Sequence, residues 1–352
     1  MRSLPIHGRG TSSNPANRFT ELRVERDDWG HPDDPGPETR LYRDSSRSVI
    51  TTNDSPDVGF DASVNPYRGC EHGCGYCYAR PNHEYLGLSA GLDFETKIFV
   101  KEDAPELLRK ELASPSWKPK VLVMSGVTDP YQPAERRMEV TRGCLEVLAE
   151  ARNPVSIITK SHLVTRDIDH LAELAARGAA RVTLSVTTLR NEIHRAMEPR
   201  AAVPKRRLGA IRELSRAGIS VGVNVAPVVP GLTDHEMADV LEAAADAGAT
   251  RAGYIVLRLP FGVKGLFLDW LEHHVPDRKD KVVHRLESLR GGKLNDPRFG
   301  SRMKGEGPYA AQIRDLFEVT TRRMGFNRED ESLSTAAFRR PAVDGEQMAL
   351  FR

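Results

Sequence analysis

Between residues 60 and 260 the chain alternates short apolar runs with longer segments in which apolar residues recur every three or four positions. Apolar runs bounded by turn residues are typical of buried strands, and the longer periodic segments are typical of amphipathic helices. The predicted strands are 62–67, 120–124, 155–159, 181–186, 219–225 and 251–257. The predicted helices are 104–112, 137–151, 167–177, 205–217 and 234–247.

This alternation predicts an α/β protein, built as an incomplete (β/α)6 TIM-like barrel and not as the closed eight-stranded form. Continuous apolar strands require helices on the outside of a parallel sheet. In such folds the reactive groups lie at the carboxyl ends of the strands. The cysteine-rich segment 70–77 follows the first predicted strand. It is therefore expected at that edge of the sheet.

Both ends of the chain depart from this pattern. Residues 1–55 are polar, are rich in glycine and proline, and predict an irregular N-terminal extension with one short strand at 48–52. The core domain is predicted at 56–260. Residues 261–352 predict a mostly helical, basic C-terminal extension. Its helices are expected at 266–274, 281–289 and 309–324.

Composition adds little about partners. The formal net charge is +2, so the overall charge favours neither a polyanionic partner nor its absence. The chain contains no run of about 18 apolar residues, and no membrane span is expected. Four cysteines in 352 residues, without an apolar leader, predict a cytoplasmic protein with reduced thiols.

Three of the four cysteines, Cys70, Cys74 and Cys77, lie within eight residues in the spacing C-x3-C-x2-C. Thiolates are soft ligands, and three so close together can converge on one metal centre. They would leave one iron of a four-iron cluster without a protein ligand, which is an open position for chemistry. A structural zinc site that also uses His72 is an alternative, although zinc modules usually pair two Cys/His doublets.

The cysteine spacing, with Tyr76 directly before the third cysteine, resembles the radical-SAM superfamily. The flanking Asn65-Pro-Tyr-Arg-Gly, Cys77-Tyr-Ala-Arg and Val127-Thr-Asp-Pro-Tyr-Gln-Pro are similar to the branch related to spore photoproduct lyase, often labelled DNA repair photolyase. The resemblance covers residues 60–260. It implies a [4Fe–4S] cluster on the three cysteines, S-adenosylmethionine at the open iron, and a reductase, flavodoxin or ferredoxin as electron donor.

The resemblance also implies a reaction. The reduced cluster cleaves S-adenosylmethionine to methionine and a 5′-deoxyadenosyl radical, which abstracts a hydrogen atom from the substrate. A nucleic acid is the favoured substrate class, in a lyase-like or repair-like reaction. Radical modification of a peptide or small molecule is the alternative within the same chemistry. A non-enzymatic binding module stabilised by zinc or a cluster is the alternative outside it.

Polar residues recur at the predicted strand ends, where a cofactor would bind. They are Ser125, Asp129, Lys160, Ser185, Thr187, Asn224 and Arg258, and Gly126 follows Ser125. The resemblance implies that Ser125-Gly126 meets the methionine amino group. It also implies that Lys160 and Ser185 bind the carboxylate and ribose, and that Tyr76 lies near the adenine. A lysine supplies a cation for a carboxylate. Asn224 is a further cofactor-binding candidate.

The photoproduct-lyase pattern carries a further cysteine at the end of the second strand, and residues 121–133 contain none. Cys144 lies on a predicted helix and is expected to be a core thiol. No catalytic residue is therefore assigned. The candidates for hydrogen donation are Tyr78 and Tyr131. The candidates for acid–base roles are His83 and Glu84.

A basic, glycine-rich stretch spans 278–304. Cations next to an exposed aromatic ring can grip a phosphate backbone and stack a base. Arg298 and Arg302, which flank Phe299, are the predicted substrate contacts. A solvated basic face without a partner is the alternative.

Overall fold

The computed structural model describes residues 5–20, 37–328 and 332–342. The strands are β1 Arg40–Arg43, β2 Ile50–Thr52, β3 Ala62–Val64, β4 Tyr67–Arg68, β5 Lys97–Val100, β6 Leu122–Met124, β7 Val155–Thr159, β8 Ala180–Ser185, β9 Ser220–Val228 and β10 Arg251–Val256. The helices are α1 Leu92–Thr96, α2 Ala104–Ala113, α3 Glu135–Met138, α4 Val140–Ala151, α5 Ile168–Ala175, α6 Asn191–Met197, α7 Pro204–Arg216, α8 Met237–Asp246, α9 Val263–His274, α10 Pro276–Ser288 and α11 Pro308–Met324. Short 3₁₀ helices occupy Arg80–Leu86, His162–Asp167 and Asp234–Glu236.

The main sheet has the order β10-β9-β8-β7-β6-β3-β2. Its first six strands are parallel, and β2 adds to the edge antiparallel to β3. Strands that follow one another in the core are neighbours in space, and helices connect most of them. This open sheet confirms the predicted α/β fold of the partial-barrel type. The carboxyl ends of the six parallel strands share one edge, which is where the cysteine segment lies.

The first predicted strand, 62–67, is split in the structure. β3 ends at Val64, and the chain then turns through Asn65 and Pro66. Proline has no N–H to donate to a ladder, so it interrupts a central strand. The carbonyl of Pro66 accepts a hydrogen bond from the Lys101 amide at 3.0 Å, and β4 pairs with β5 in a separate small sheet, ordered β1-β5-β4.

The core is filled by the apolar faces of the strands and helices. Val155, Ile157, Val182 and Val221 are fully buried. Each such side chain contributes roughly 1.5–3 kcal/mol by leaving water. Cys144 on α4 is fully buried among them. None of the helices within the described ranges is long and apolar enough to cross a membrane.

The N-terminal segment 5–20 lies directly against the cysteine loop, although its sequence predicts only an irregular extension. The amide of Gly10 donates to Glu95 at 3.0 Å, and the Thr11 hydroxyl donates to the same carboxylate at 2.8 Å. Glu95 also forms a fully buried ion pair with Arg80 at 2.6 Å. Arg80 follows the cysteine loop by three residues. One carboxylate therefore joins the N-terminal segment to the metal-ligating loop.

The contact between the N-terminal segment and the cysteine loop leaves no room for a side chain at Gly10. A Cβ there would lie 1.5 Å from the carbonyl oxygen of Gly73. We expect Gly10→Ala to displace the segment, and amide hydrogen exchange across residues 9–17 to accelerate while the main sheet stays protected. Gly59→Ala is the control, because a Cβ at Gly59 meets no atom within 4 Å. Unchanged exchange in Gly10→Ala would contradict the close contact.

Candidate active site

The three metal-ligand candidates lie on one tight loop after β4. Cys70 donates its amide to the carbonyl of Phe94 at 2.9 Å, and the amide of Cys77 bonds the carbonyl of Cys74 at 3.2 Å. Cys70 and Cys74 are buried and Cys77 is partly exposed, and all three thiols are free. The loop therefore presents three unoxidised sulfur ligands together on the strand-end side of the sheet.

Burial raises the pKa of all three thiols. The carboxylates of Asp129 and Glu198 raise the pKa of Cys70 and Cys74 further. Several groups oppose these effects and favour the thiolates that bind metal. The Asp129 amide lowers the pKa of Cys70, Lys160 lowers that of Cys74, and Arg80 lowers that of Cys77. A donor set of three sulfurs with backbone N–H groups and cations around it fits an iron–sulfur cluster.

The zinc alternative depended on His72 as a fourth ligand. His72 is buried, and its Nδ1 lies 3.4 Å from Oδ2 of Asp129. Among the described residues, no three His, Cys, Asp or Glu side chains are arranged to hold a single metal ion. In a four-iron cluster each thiolate binds a different iron, so the sulfurs do not have to converge on one ion.

Asp129 connects two loops at the strand ends. Its carboxylate accepts hydrogen bonds from the Thr159 hydroxyl and the Lys160 amide, both at 2.7 Å. Burial alone would raise its pKa, but His72 and these hydrogen bonds hold it below the usual aspartate range. The charged carboxylate thus fixes the start of the loop that carries the Lys160 side chain.

A second buried carboxylate, Glu198, contacts residues from three separate loops and from helix α7. It pairs with Arg207, accepts a hydrogen bond from the Tyr76 hydroxyl, and accepts another from the Thr187 hydroxyl at 2.7 Å. The Lys160 ammonium lies 3.2 Å from Oε1 of Glu198. Burial alone would raise the pKa of Glu198, but Arg207 and Lys160 hold it well below its usual range.

Two of the predicted cofactor-binding residues, Tyr76 and Lys160, therefore meet at Glu198. The Lys160 ammonium also donates to the carbonyl of Ala226 at 2.9 Å, and it lies 5.8 Å from the centre of the Tyr76 ring. These contacts direct the lysine side chain toward the cysteine loop. The side chain is 16% exposed, so part of it remains open at the strand ends.

The other predicted cofactor-binding residues lie at the same strand-end edge. Ser185 and Asn224 are direct partners in the β8–β9 register. Ser125 follows β6 and has a backbone φ of 98°, a left-handed conformation that is unusual for serine and common at ligand sites. A Cβ at Gly126 would lie 3.0 Å from the Ser63 hydroxyl, so the chain passes close to β3 there.

Two of the four catalytic candidates, His83 and Glu84, are buried in contacts within the protein. His83 is buried between Phe94 and Phe99, with ring centroids 5.6 and 6.0 Å away, and burial lowers its pKa to about 4. Glu84 is buried and pairs with Arg18 of the N-terminal segment. These contacts support the packing of the loop.

The two tyrosine candidates, Tyr131 and Tyr78, differ in exposure. Tyr131 is buried, and its hydroxyl donates to Asp167 at 3.1 Å. Tyr78 is 48% exposed beside Cys77, and its hydroxyl donates to the carbonyl of Gly126 at 3.1 Å. The guanidinium of Arg258 lies 5.5 Å from the centre of the Tyr78 ring. Of these four candidates, Tyr78 is the one whose ring is open to a substrate at the mouth.

Both predicted substrate arginines are engaged within the protein. Arg298 pairs with Asp296 at 2.8 Å and with Glu306 at 2.9 Å, and Arg302 pairs with Asp57. Phe299 is 59% exposed, with the Arg302 guanidinium 4.4 Å from its ring centre. The ring is available to a ligand, but both arginine charges are already neutralised.

Sequence reasoning missed Glu198, Arg207 and Glu95. Each is a charged residue in an ordinary helical or loop context, with no motif around it. Their buried positions follow from which loops meet at the strand ends. The one usable signal was the accumulation of polar residues at those ends, which identified Lys160 and Thr187 but not their shared partner.

Comparison with known proteins finds a matching family model and a shared fold. Residues 64–244 match the model of the Radical SAM superfamily. A protein of Mycobacterium bovis, named only as uncharacterized, is 40% identical over 248 residues, which span 70% of this chain and 72% of the relative. A mutant of spore photoproduct lyase superposes with a TM-score of 0.60 at 17% identity, covering 81% of this chain and 80% of the other.

A second mutant of spore photoproduct lyase, with bound AdoMet and dinucleoside spore photoproduct, matches with a TM-score of 0.57 at 17% identity. It also covers 81% of this chain and 80% of the other. At such identities these two likenesses establish the fold.

Glu198→Gln tests the buried carboxylate. We expect the free energy of unfolding to fall by about 3 kcal/mol at pH 7, because Arg207 and Lys160 lose their shared counter-charge. The folded pKa of Glu198 lies below the ordinary glutamate value of 4.5, so its contribution is present above that pH and is lost as the pH falls further. Urea unfolding of the cluster-free protein across pH measures both effects.

Glu192→Gln, at an exposed position on helix α6, which ends directly before Glu198, is the matched control and should unfold like the parent protein. If the two variants were equally stable at pH 7, the carboxylate network would not have the role described.

Proposed function

This chain belongs to the radical SAM superfamily, whose cofactors are a [4Fe–4S] cluster and S-adenosylmethionine, and we propose that this enzyme acts on a nucleic acid in a lyase-like reaction. When bound, these cofactors supply one-electron cleavage of a sulfonium and hence hydrogen-atom abstraction from the substrate. Cys70, Cys74 and Cys77 would hold the cluster. The protein's own contribution is to bind, orient and exclude water.

We propose that the residues around Glu198 orient S-adenosylmethionine. Lys160, held by Glu198 and Ala226, provides the cation for the methionine carboxylate. The hydroxyl of Tyr76 donates a hydrogen bond to Glu198, which holds the ring in place. We place the adenine next to this ring. The residues proposed for the remaining contacts are Ser125, Gly126, Ser185 and Asn224.

The observation that carries the nucleic-acid proposal is the half-exposed ring of Tyr78. It stands beside a cluster cysteine at the mouth of the site, with the cation of Arg258 next to its ring. Exposed aromatic rings backed by arginine are used to stack unpaired bases, at roughly 1–3 kcal/mol per base. A base stacked on Tyr78 would lie next to the S-adenosylmethionine position.

The shared fold with spore photoproduct lyase is compatible with this substrate class. The solved structure of that protein holds AdoMet together with a dinucleoside spore photoproduct. The reaction must nevertheless end differently if that lyase closes its reaction with a thiol, because the strand-end segment 121–133 of this chain has no cysteine and Cys144 is buried on α4. Tyr78 is the proposed hydrogen-donor candidate.

The proposed reaction also requires an electron donor and a reducing compartment. A low-potential reductase, flavodoxin or ferredoxin must deliver the electron. A cytoplasmic location is proposed, because the cluster cysteines have to remain reduced.

Cys74→Ala tests the cluster assignment. After anaerobic reconstitution with iron and sulfide, the parent protein should contain close to four irons per chain and form 5′-deoxyadenosine from S-adenosylmethionine when reduced. The variant should lose the brown colour, most of the iron and all detectable 5′-deoxyadenosine, because an iron loses its thiolate. Cys144→Ala removes a thiol from the core instead and should keep the iron content. A fully loaded parent protein that leaves S-adenosylmethionine intact would contradict the radical reaction.

Tyr78→Leu tests the substrate class. We expect the affinity for a mixed-sequence single-stranded oligonucleotide to fall by roughly 5- to 150-fold, which corresponds to the loss of about 1–3 kcal/mol of stacking. Tyr85→Leu is the control, because Tyr85 is 70% exposed but stacks on Phe19 of the N-terminal segment. Fluorescence anisotropy measures the oligonucleotide affinity of both variants and of the parent protein. Negligible binding by the parent protein would favour a peptide or small-molecule substrate.

A further inference from the structure

A pocket of about 320 Å³, separate from the residues of the candidate active site, lies at the strand-end edge of the sheet. This size is at the lower end of the range typical for small-ligand sites. The residues that matter in its lining are Arg190, Gly231, Arg278, Lys281, Arg285 and Tyr309. No predicted site residue lines it.

The pocket borders the edge of the sheet that carries the active site. Arg190 lies in the loop after β8 and Gly231 in the loop after β9, and both loops leave the carboxyl ends of their strands. Helix α10 closes the pocket, and a Cβ at Gly231 would lie only 3.3 Å from the Lys281 side chain. The pocket is thus formed by strand-end loops and α10.

The two faces of α10 have different roles. Val282 and Leu286 are buried in the hydrophobic cluster that also contains Cys74 and Tyr76. Arg278, Lys281 and Arg285, at spacings of three and four residues, form the face that lines the pocket. The packing of α10 on the cysteine-loop cluster therefore fixes where these three cations point.

The positive charge of the pocket lining exceeds its negative charge. Among the described residues, no carboxylate pairs with Arg278, Lys281 or Arg285, and the guanidinium of Arg285 lies 4.2 Å from the Tyr309 ring centre. Asp234 supplies the carboxylate in the lining, where it accepts hydrogen bonds from the Tyr309 hydroxyl and the Gly231 amide. Arg190 is already paired with Glu236.

An excess of positive charge in a concave site favours an anion, and two further features favour phosphate. Arginine presents a planar fork that matches phosphate oxygens, and lysine adds a point charge. Helix α11 begins at Pro308, directly before Tyr309, so its positive end lies at the pocket. We propose that this pocket binds a backbone phosphate of the nucleic-acid substrate while a base is stacked at Tyr78. This step rests on the proposed function.

Lys281→Gln tests the assignment in the cluster-loaded full chain. Binding of a mixed-sequence single-stranded oligonucleotide is measured by anisotropy over a range of KCl concentrations. We expect weaker binding at low salt and a slope of log K against log salt that is smaller by about 1, because one phosphate contact is lost. Lys281→Arg keeps the charge and should restore the slope.

Lys279→Gln is the matched control. It removes the same charge from the same helix, but Lys279 pairs with Glu272 at 2.5 Å and does not line the pocket. If Lys281→Gln and Lys279→Gln gave equal slopes, the pocket proposal would be overturned and the nucleic-acid proposal would stand. If the parent protein cleaved S-adenosylmethionine but bound no oligonucleotide, the nucleic-acid proposal would fail and the pocket assignment with it.

Inorganic phosphate serves as the second probe. It should compete with the oligonucleotide on the parent protein more strongly than chloride at equal ionic strength, and this difference should vanish in Lys281→Gln. Competition by phosphate that depends on Lys281, together with oligonucleotide binding that does not, would assign the pocket to a small phosphate compound and overturn the backbone assignment.

Discussion

Glu198 holds a negative charge inside the protein, where an unpaired carboxylate would be strongly destabilising. Arg207 and Lys160 supply the opposite charge, and Tyr76 and Thr187 donate hydrogen bonds. These partners come from the cysteine loop, two strand ends and α7. The need to satisfy one buried group therefore brings four separate pieces of the chain to the mouth of the site, and it leaves the Lys160 ammonium directed at the cysteine loop.

Glu95 has a comparable role on the other side of the cysteine loop. Its fully buried pair with Arg80 secures the chain directly after Cys77, and the same carboxylate binds Gly10 and Thr11 of the N-terminal segment. The loop is thus held between two buried carboxylates, one tied to the strand ends and the other to the N-terminal segment. Such fixed surroundings suit a cluster whose ligands must not move during electron transfer.

The basic C-terminal region separates into two parts with different chemistry. Arg298 and Arg302 form ion pairs with Asp296 and Asp57. On α10 the alternation of apolar and basic residues directs Val282 and Leu286 inward and leaves Arg278 and Lys281 without acidic partners among the described residues. The number of basic residues in the sequence does not distinguish these two parts. The acidic neighbours of each residue do, because they show which cations are paired within the protein and which remain available to a phosphate.

The sequence by itself determined the six core strands with the main helices that follow them, the parallel sheet and the loop of Cys70, Cys74 and Cys77. These features follow from hydrophobic periodicity and from ligand spacing, which are local properties of the chain. The split of the first strand at Pro66, the position of segment 5–20 and the meeting of Tyr76, Lys160 and Glu198 were decided by the tertiary structure. Each depends on contacts between residues far apart in sequence, and a buried charge has no local pattern that reveals which distant partner will compensate it.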